Sequence, residues 1–471
     1  MVFNSFQFLT LFPLLFLLYY AIPARCGKLR NLFLLLVSYL LYLQWRPVYA
    51  LVLLGVTAVT YLAARCMAES PRRKRTFVVG LVLSLLPLLL FKYADFVSRS
   101  VFDALALVGI TAPLPGLNWA IPVGISFYTF QAVGYLCDVY YRRQEAERDF
   151  LTYALFVSFF PSILSGPINK ASLLLPQLKA PRPHFDYAKA VAGLKWLLWG
   201  MFMKVVVADR VGLYVDTVLP HYQNYTGTTC LVACVLYSVQ IYADFAGYSL
   251  MALGVGRVLG FDLTENFRRP YFAVSVTDFW RRWHISLSTW LRDYVYIPLG
   301  GSRCSRARNY WNIMATFLVS GLWHGASWTF VVWGALHGVF QVVEKMLGQQ
   351  RCDYGWVGRA VKTAVTFALV TLAWIFFRMP TLADACGVIA RICDPTLPKG
   401  VYLHGMTSTL YMAVGIGLLL VKDTADELFP TRLQLFDHRW AGVRWAAYLC
   451  LTAYILLAGV FGADQFIYAN F

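Results

Sequence analysis

Three of the seven histidines fall in apolar surroundings, and they are the residues through which this chain could do chemistry: His284 in FWRRWHISLSTW, and His324 and His337 in GLWHGASWTFVVWGALHG, residues 321–338. His184, His221, His404 and His438 read as loop histidines. A neutral imidazole, with a proton affinity near neutral pH, can take a proton from a hydroxyl. Acyl transfer from a thioester to that hydroxyl needs no metal, because the thiolate leaves readily. Other chemistries have no support: there is no GxxxxGK[ST] loop, no HExxH pair and no GxSxG elbow. The ten cysteines lack metal-ligand spacing, and Cys230 and Cys234 form an i, i+4 pair inside an apolar run, so they read as packing residues. No metal site is expected.

Geometry selects the pair. On one continuous helix, the 13-residue offset from His324 to His337 would rotate the second ring by about 220° and raise it by about 20 Å, so both could not act on one atom. The mostly uncharged stretch from Trp311 to Val343 exceeds one span and carries Gly321, Gly325 and Ser327 near its middle. It therefore reads as two helices broken near Trp323–Ala326, with His324 at the break. His284 is the expected partner. Ser275 and Asp278 fit a capping box, so a helix starts near Val276. On it Trp280, His284, Leu287 and Leu291 share a face, beside a stripe of Arg281, Ser288 and Arg292. That pattern reads as a helix lying in the cytoplasmic interface with His284 turned inward. His337 is expected to be structural.

The elements that must hold these residues are membrane spans. The chain has 471 residues, 59% of them hydrophobic and only 14% charged, where a soluble domain has about 25% charged residues. Apolar runs of spanning length lie near 5–24, 31–45, 48–65, 77–94, 119–137, 190–218, 229–256, 311–324, 326–345, 361–378, 406–421 and 444–461. The fold class is all-α: a polytopic integral membrane protein of about eleven spans, with re-entrant and interfacial helices, forming a single domain over 1–471. Less apolar interruptions fall at 98–118, 139–150, 169–188, 261–310 and 346–360. The run 151–167 ends in Pro161, Gly166 and Pro167 and reads as a dipping segment, which needs protein or a cavity around it. Met1 to Thr10 has no basic region, so the first run reads as a retained span, not a cleaved signal.

The net charge of +17 does not imply nucleic acid, because the basic residues sit in short loops: Arg25 to Arg30, Arg72 to Arg75, Arg142 and Arg143, and Arg268 to Arg308. Two spans separate successive early clusters, so all fall on one face, cytoplasmic by the positive-inside rule, with the N-terminus outside. Asp244, in the apolar QIYADFAGYSL, either orients a histidine or lines a polar path, or else pairs with a cytoplasmic arginine. Asp138 is expected to pair with the basic residues that follow it.

On these residues the chain resembles the membrane-bound O-acyltransferase family, in the bacterial branch that includes alginate O-acetylation and teichoic-acid D-alanylation membrane proteins. The resemblance runs from MVFNSFQFL through QIYADFAGYSLMALGVGRVLGFDLTENFRRPYF and FWRRWHISLSTWLRDYVYIPLGGSR to GLWHGASWTFVVWGALHG. It implies a tunnel joining a cytoplasmic donor funnel to an extracytoplasmic acceptor. It makes His324, of the WHG motif, the catalytic histidine, and His284 a second tunnel residue. Many eukaryotic members carry asparagine at the latter position, which implies donor orientation as its role. The resemblance further implies acetyl-coenzyme A as donor, an extracytoplasmic acetyltransferase helper protein, a polysaccharide acceptor and the bacterial inner membrane. Arg281, Arg282 and Arg303, with Trp280 and Trp323, become candidate donor contacts; alternatively the arginines face lipid headgroups. Two other functions stay open. One is D-alanylation from a carrier-protein thioester; the other is a proton-coupled transporter using His284, His324 and Asp244, although no internal repeat of the transporter kind is present.

Overall fold

The computed structural model describes residues 3–109, 119–181, 184–348, 355–429 and 435–462. The interruptions expected at 98–118, 169–188 and 346–360 therefore lie partly outside the described residues. The described elements are all helical. Four helices open the chain: α1 (Phe6–Ala21), α2 (Gly27–Leu43), α3 (Pro47–Glu69) and α4 (Arg73–Ala106). At 34 residues α4 is about 51 Å long, well beyond a bilayer's apolar thickness of about 30 Å, so it is long enough to cross with turns to spare.

The next helix, α5 (Ile125–Tyr140), is buried at every position from Ile125 to Val139. A helix covered by protein on all sides can hold Ser126, Thr129 and Gln131 at membrane depth, which a lipid-facing helix cannot. The dipping run is α6 (Phe150–Ser158) and α7 (Phe160–Ile163), broken at Phe159 and enclosed by protein from Thr152 to Ile163. Its backbone is thus satisfied as the proline and glycine pattern required. The short α8 (Ala171–Lys179) follows.

The core of the molecule is a helical hairpin. The first arm runs from α9 (Tyr187–Met201) through a π-helical stretch, Phe202–Ala208, into α10 (Asp209–Val218); the second is α11 (Gly227–Val258). Two glycine pairs let the backbones touch: a Cβ on Gly193 would lie 2.6 Å from the Gly254 carbonyl oxygen, and one on Gly200 2.6 Å from that of Gly247. Small residues at such spacings are how membrane helices pack without a hydrophobic drive. The remaining helices are α12 (Val276–Arg282), α13 (Ile285–Leu291), α14 (Arg306–His324), α15 (Trp328–Met346), α16 (Trp356–Arg378), α17 (Leu382–Cys393), α18 (Met406–Leu428) and α19 (Ala441–Ala458).

Among the described residues, seven helices can cross a membrane by length and composition: α3, α4, the α9–α10 arm, α11, α16, α18 and α19. They match seven of the apolar runs. The runs at 5–24, 31–45, 119–137, 311–324 and 326–345 are helices too, of 16 to 19 residues, and are shorter or more polar. Among them, α5 is enclosed, and α14 and α15 pack closely on each other. Contact with protein relaxes the demand for a long apolar surface.

Candidate active site: two histidines at two helix breaks

The break at residues 323–326 forms where the glycines and serine predicted it. α14 ends at His324, and Ser327 caps α15 by accepting from the Thr329 N–H. Two more glycines close the α14–α15 hairpin: a Cβ on Gly321 would lie 2.3 Å from the Phe330 carbonyl oxygen, and one on Gly334 2.4 Å from that of Phe317. Gly325 itself accommodates the Phe330 ring, since a Cβ there would be 2.1 Å from Cε2. His324 is 2% exposed.

The segment around His284 corrects the expectation of one continuous interfacial helix. The helix does begin at Val276, capped by the Ser275 hydroxyl accepting from the Asp278 N–H, but it stops at Arg282. His284 is left-handed, at φ 43°, and the next helix starts at Ile285. A non-glycine residue in that region costs of order 1–3 kcal/mol, so the surroundings must impose it. They do: Asn266 accepts from the Ile285 N–H through its carbonyl (3.0 Å) and from the Ser286 N–H through its side chain (3.2 Å), while the Arg268 N–H bonds to the Arg282 carbonyl (2.9 Å). At the other end, Glu344 of α15 accepts from the N–H groups of Val276 (2.5 Å) and Thr277 (3.0 Å). Phe279, Trp280, Trp283, His284, Leu287, Trp290 and Leu291 are all buried, so the α12–α13 pair turns its apolar side chains into the protein, while Arg281 and Arg292 stay exposed.

The kink separates the residues once expected on one face. His284 turns to Trp323 and His324, with ring centroids 5.8 and 6.4 Å away. Trp280 turns to His337, donating its indole N–H to Nδ1 at 3.2 Å. His337 thus has the structural partner expected of it, and one indole, Trp333, stands 4.9 Å from each of His337 and His324. Trp323 contacts both central histidines. Neither ring nitrogen of His284 has a hydrogen-bond partner among the described residues, and the indole N–H groups of Trp283, Trp323 and Trp333 are likewise orphaned. Buried donors without acceptors mark a place where something polar belongs.

The charged candidates divide. Arg282 is engaged by Asp278 (3.2 Å) and Glu427 (2.8 Å), while Arg281 and Arg303 are exposed. Asp138 lies 3.6 Å from Arg143, as expected. Asp244 pairs with neither a histidine nor an arginine in the recorded ion pairs: its partner is Lys204 at 2.7 Å, which also holds Asp209 at 2.7 Å. At the membrane boundary, burial opposes ionisation of Asp262 and Asp293. Hydrogen bonds from Lys189 and Arg257 nevertheless hold the Asp262 carboxyl below the usual carboxylate range, and those from Arg292 and Lys170 do so for Asp293. Both remain charged staples across the loops.

Two clefts approach the pair. One, of about 690 Å³, is lined by Lys92, Asp95, Arg99, Gly325, Ser327 and Phe330, near the C-terminal end of α4. The other, of about 350 Å³, is lined by Trp196, Tyr242, Arg257, Asn266, Phe267 and Lys422, near the C-terminal ends of α11 and α18. Both rings are buried, and the linings come close to them: Gly325, next to His324, lines the first cleft, and Asn266, which bonds the residues after His284, lines the second. Sequence reading missed Asn266, Lys92, Tyr93 and Lys204. For the two lysines a signal existed: each is a lone cation inside an apolar run.

A family model for the membrane-bound O-acyltransferases matches residues 74–379, the interval that contains both breaks and both clefts' central residues. The chain belongs to the membrane-bound O-acyltransferase family. Among the relatives of this O-acyltransferase is the probable alginate O-acetylase AlgI of Azotobacter vinelandii, 40% identical, with 83% of this chain and 78% of the relative covered. The peptidoglycan O-acetyltransferase of Helicobacter pylori is 32% identical over 83% and 79%. A teichoic acid D-alanyltransferase of Bacillus subtilis stands further off, 26% identical over 67% and 79%.

Proposed function

We propose that this protein moves an acetyl group from cytosolic acetyl-coenzyme A across the bacterial inner membrane for O-acetylation of a cell-envelope or secreted polysaccharide. The observation that carries the reading is the enclosed pair of histidine rings, 6.4 Å apart, each at a helix break, with one cleft reaching Gly325 beside His324 and another reaching Asn266, which bonds the residues after His284. His324 acts as general base: it takes the proton of the attacking hydroxyl as the new C–O bond forms and the C–S bond breaks, and the departing thiolate is reprotonated. His284 and the orphaned indole N–H groups of Trp323 and Trp333 offer donors to the thioester carbonyl. Arg281 and Arg303, exposed at the basic end, are free to meet the donor's phosphates, whereas Arg282 is held by its carboxylates. With the basic loops cytoplasmic the N-terminus is extracytoplasmic, and the cleft beside Lys92 opens toward the acceptor and an extracytoplasmic helper protein. The 37–40% identity to the alginate O-acetylases, against 26% to a D-alanyltransferase, supports acetyl over D-alanyl.

The test is a proteoliposome loaded inside with acetyl-labelled coenzyme A, with helper and polysaccharide outside. Label fixed on the outer acceptor with free coenzyme A inside is expected. Absence of any acceptor labelling, or unchanged labelling by His324→Ala, would sink the reading.

A further inference from the structure

A helix that stops inside a membrane protein leaves its last four carbonyls without intrahelical donors, and no bulk water stands by to satisfy them. At the end of α14 each has a donor. The Gly325 N–H bonds to the Gly321 carbonyl at 3.3 Å. The Tyr93 hydroxyl donates to the Leu322 carbonyl at 2.6 Å. The Lys92 ammonium donates to the carbonyls of Trp323 and His324, at 2.5 and 3.2 Å. Three of the four are therefore served by two consecutive side chains of α4, a helix more than two hundred residues earlier in the chain.

We propose that Lys92 and Tyr93 are positioning residues for acyl transfer: their donors hold the α14 break, and with it the His324 ring beside His284. The inference rests on His324 being the general base. Lys92 is 5% exposed, and its remaining recorded partners are the Ser126 hydroxyl at 3.3 Å and the Trp323 ring, 5.8 Å from its nitrogen. A cation there also meets the negative end of the α14 dipole. The bonds fall on His324 itself and on Trp323, whose ring contacts both histidines. Without them the carbonyls recover protein donors only if α14 unwinds or extends past Gly325. Either change rotates His324, by about 100° for each residue gained or lost.

Lys92→Met keeps the length of the side chain and removes its donors; Tyr93→Phe removes a single hydroxyl. Each full-length variant goes into the proteoliposome assay beside His324→Ala, with turnover counted per folded molecule. Lys92→Met is expected to lower kcat about 10²-fold, the scale of a small displacement of a reacting group, and Tyr93→Phe about fivefold. KM for acetyl-coenzyme A stays unchanged in both, because neither residue lies near the basic loops. A purely structural role would reduce the amount of folded protein and leave kcat alone. Wild-type kcat in both variants with His324→Ala inactive overturns the proposal. Should Lys92→Met not accumulate in the membrane, the Tyr93→Phe kcat decides by the same criterion. An active His324→Ala instead overturns the general-base reading, a separate outcome.

Discussion

The two histidines sit at breaks of opposite origin. The His324 break is written into its own segment: Gly321, Gly325 and Ser327 terminate one helix and cap the next within seven residues, and distant side chains only complete it. The His284 break has no glycine or proline at the kink. There a helical sequence is held in a left-handed turn by Asn266, eighteen residues upstream, while Glu344 at the far end of α15 caps the start of α12. The first break is formed by local backbone freedom and then held by α4, whereas the second exists only through tertiary constraint that offsets local strain. The first should therefore tolerate loss of distant contacts better in fold than in chemistry, and the second the reverse.

Four substitutions probe that contrast. His324→Ala should remove the base and lower turnover about 10²- to 10⁴-fold, with the amount of folded protein unchanged; equal loss in His284→Ala would erase the distinction in roles. Gly321→Ala should come next. Its Cβ would meet the Phe330 carbonyl at 2.3 Å, so α14 and α15 must separate, and a shift of that order costs about 10²-fold in kcat. Wild-type activity there would mean that the close hairpin does not set the His324 geometry. His284→Asn keeps a residue tolerant of the left-handed region and should fold normally with kcat down about tenfold, a donor's contribution. The smallest effect on turnover belongs to Asn266→Ala, which strands the Ser286 N–H and should cost about 1–3 kcal/mol in thermal or denaturant stability. Unchanged stability would show that the His284 turn does not depend on that clamp.

Much of this was legible beforehand. The break at 323–326, the cap at Ser275, the dipping segment at 151–167 and the pairing of Asp138 with Arg143 each depend on residues close in sequence. What failed did so for one reason. The helical face of Trp280, His284, Leu287 and Leu291 is a valid local pattern, but periodicity cannot register a kink made by hydrogen bonds donated to residue 266. Asp244 was expected to orient a histidine, line a polar path or pair with an arginine; the cation it meets is instead Lys204 in the adjacent π-helical stretch, brought close by the Gly200–Gly247 contact.

The sequence by itself therefore determined a multi-pass helical membrane protein, its family, and a histidine at a glycine-built helix break. Composition, apolar run length and backbone freedom are properties of the chain alone. Only the tertiary structure decided which histidine faces which, that Arg282 is occupied, and that α4 reaches across to close the end of α14. Those depend on donors and acceptors far apart in sequence, which inside a membrane must find one another because water cannot serve them.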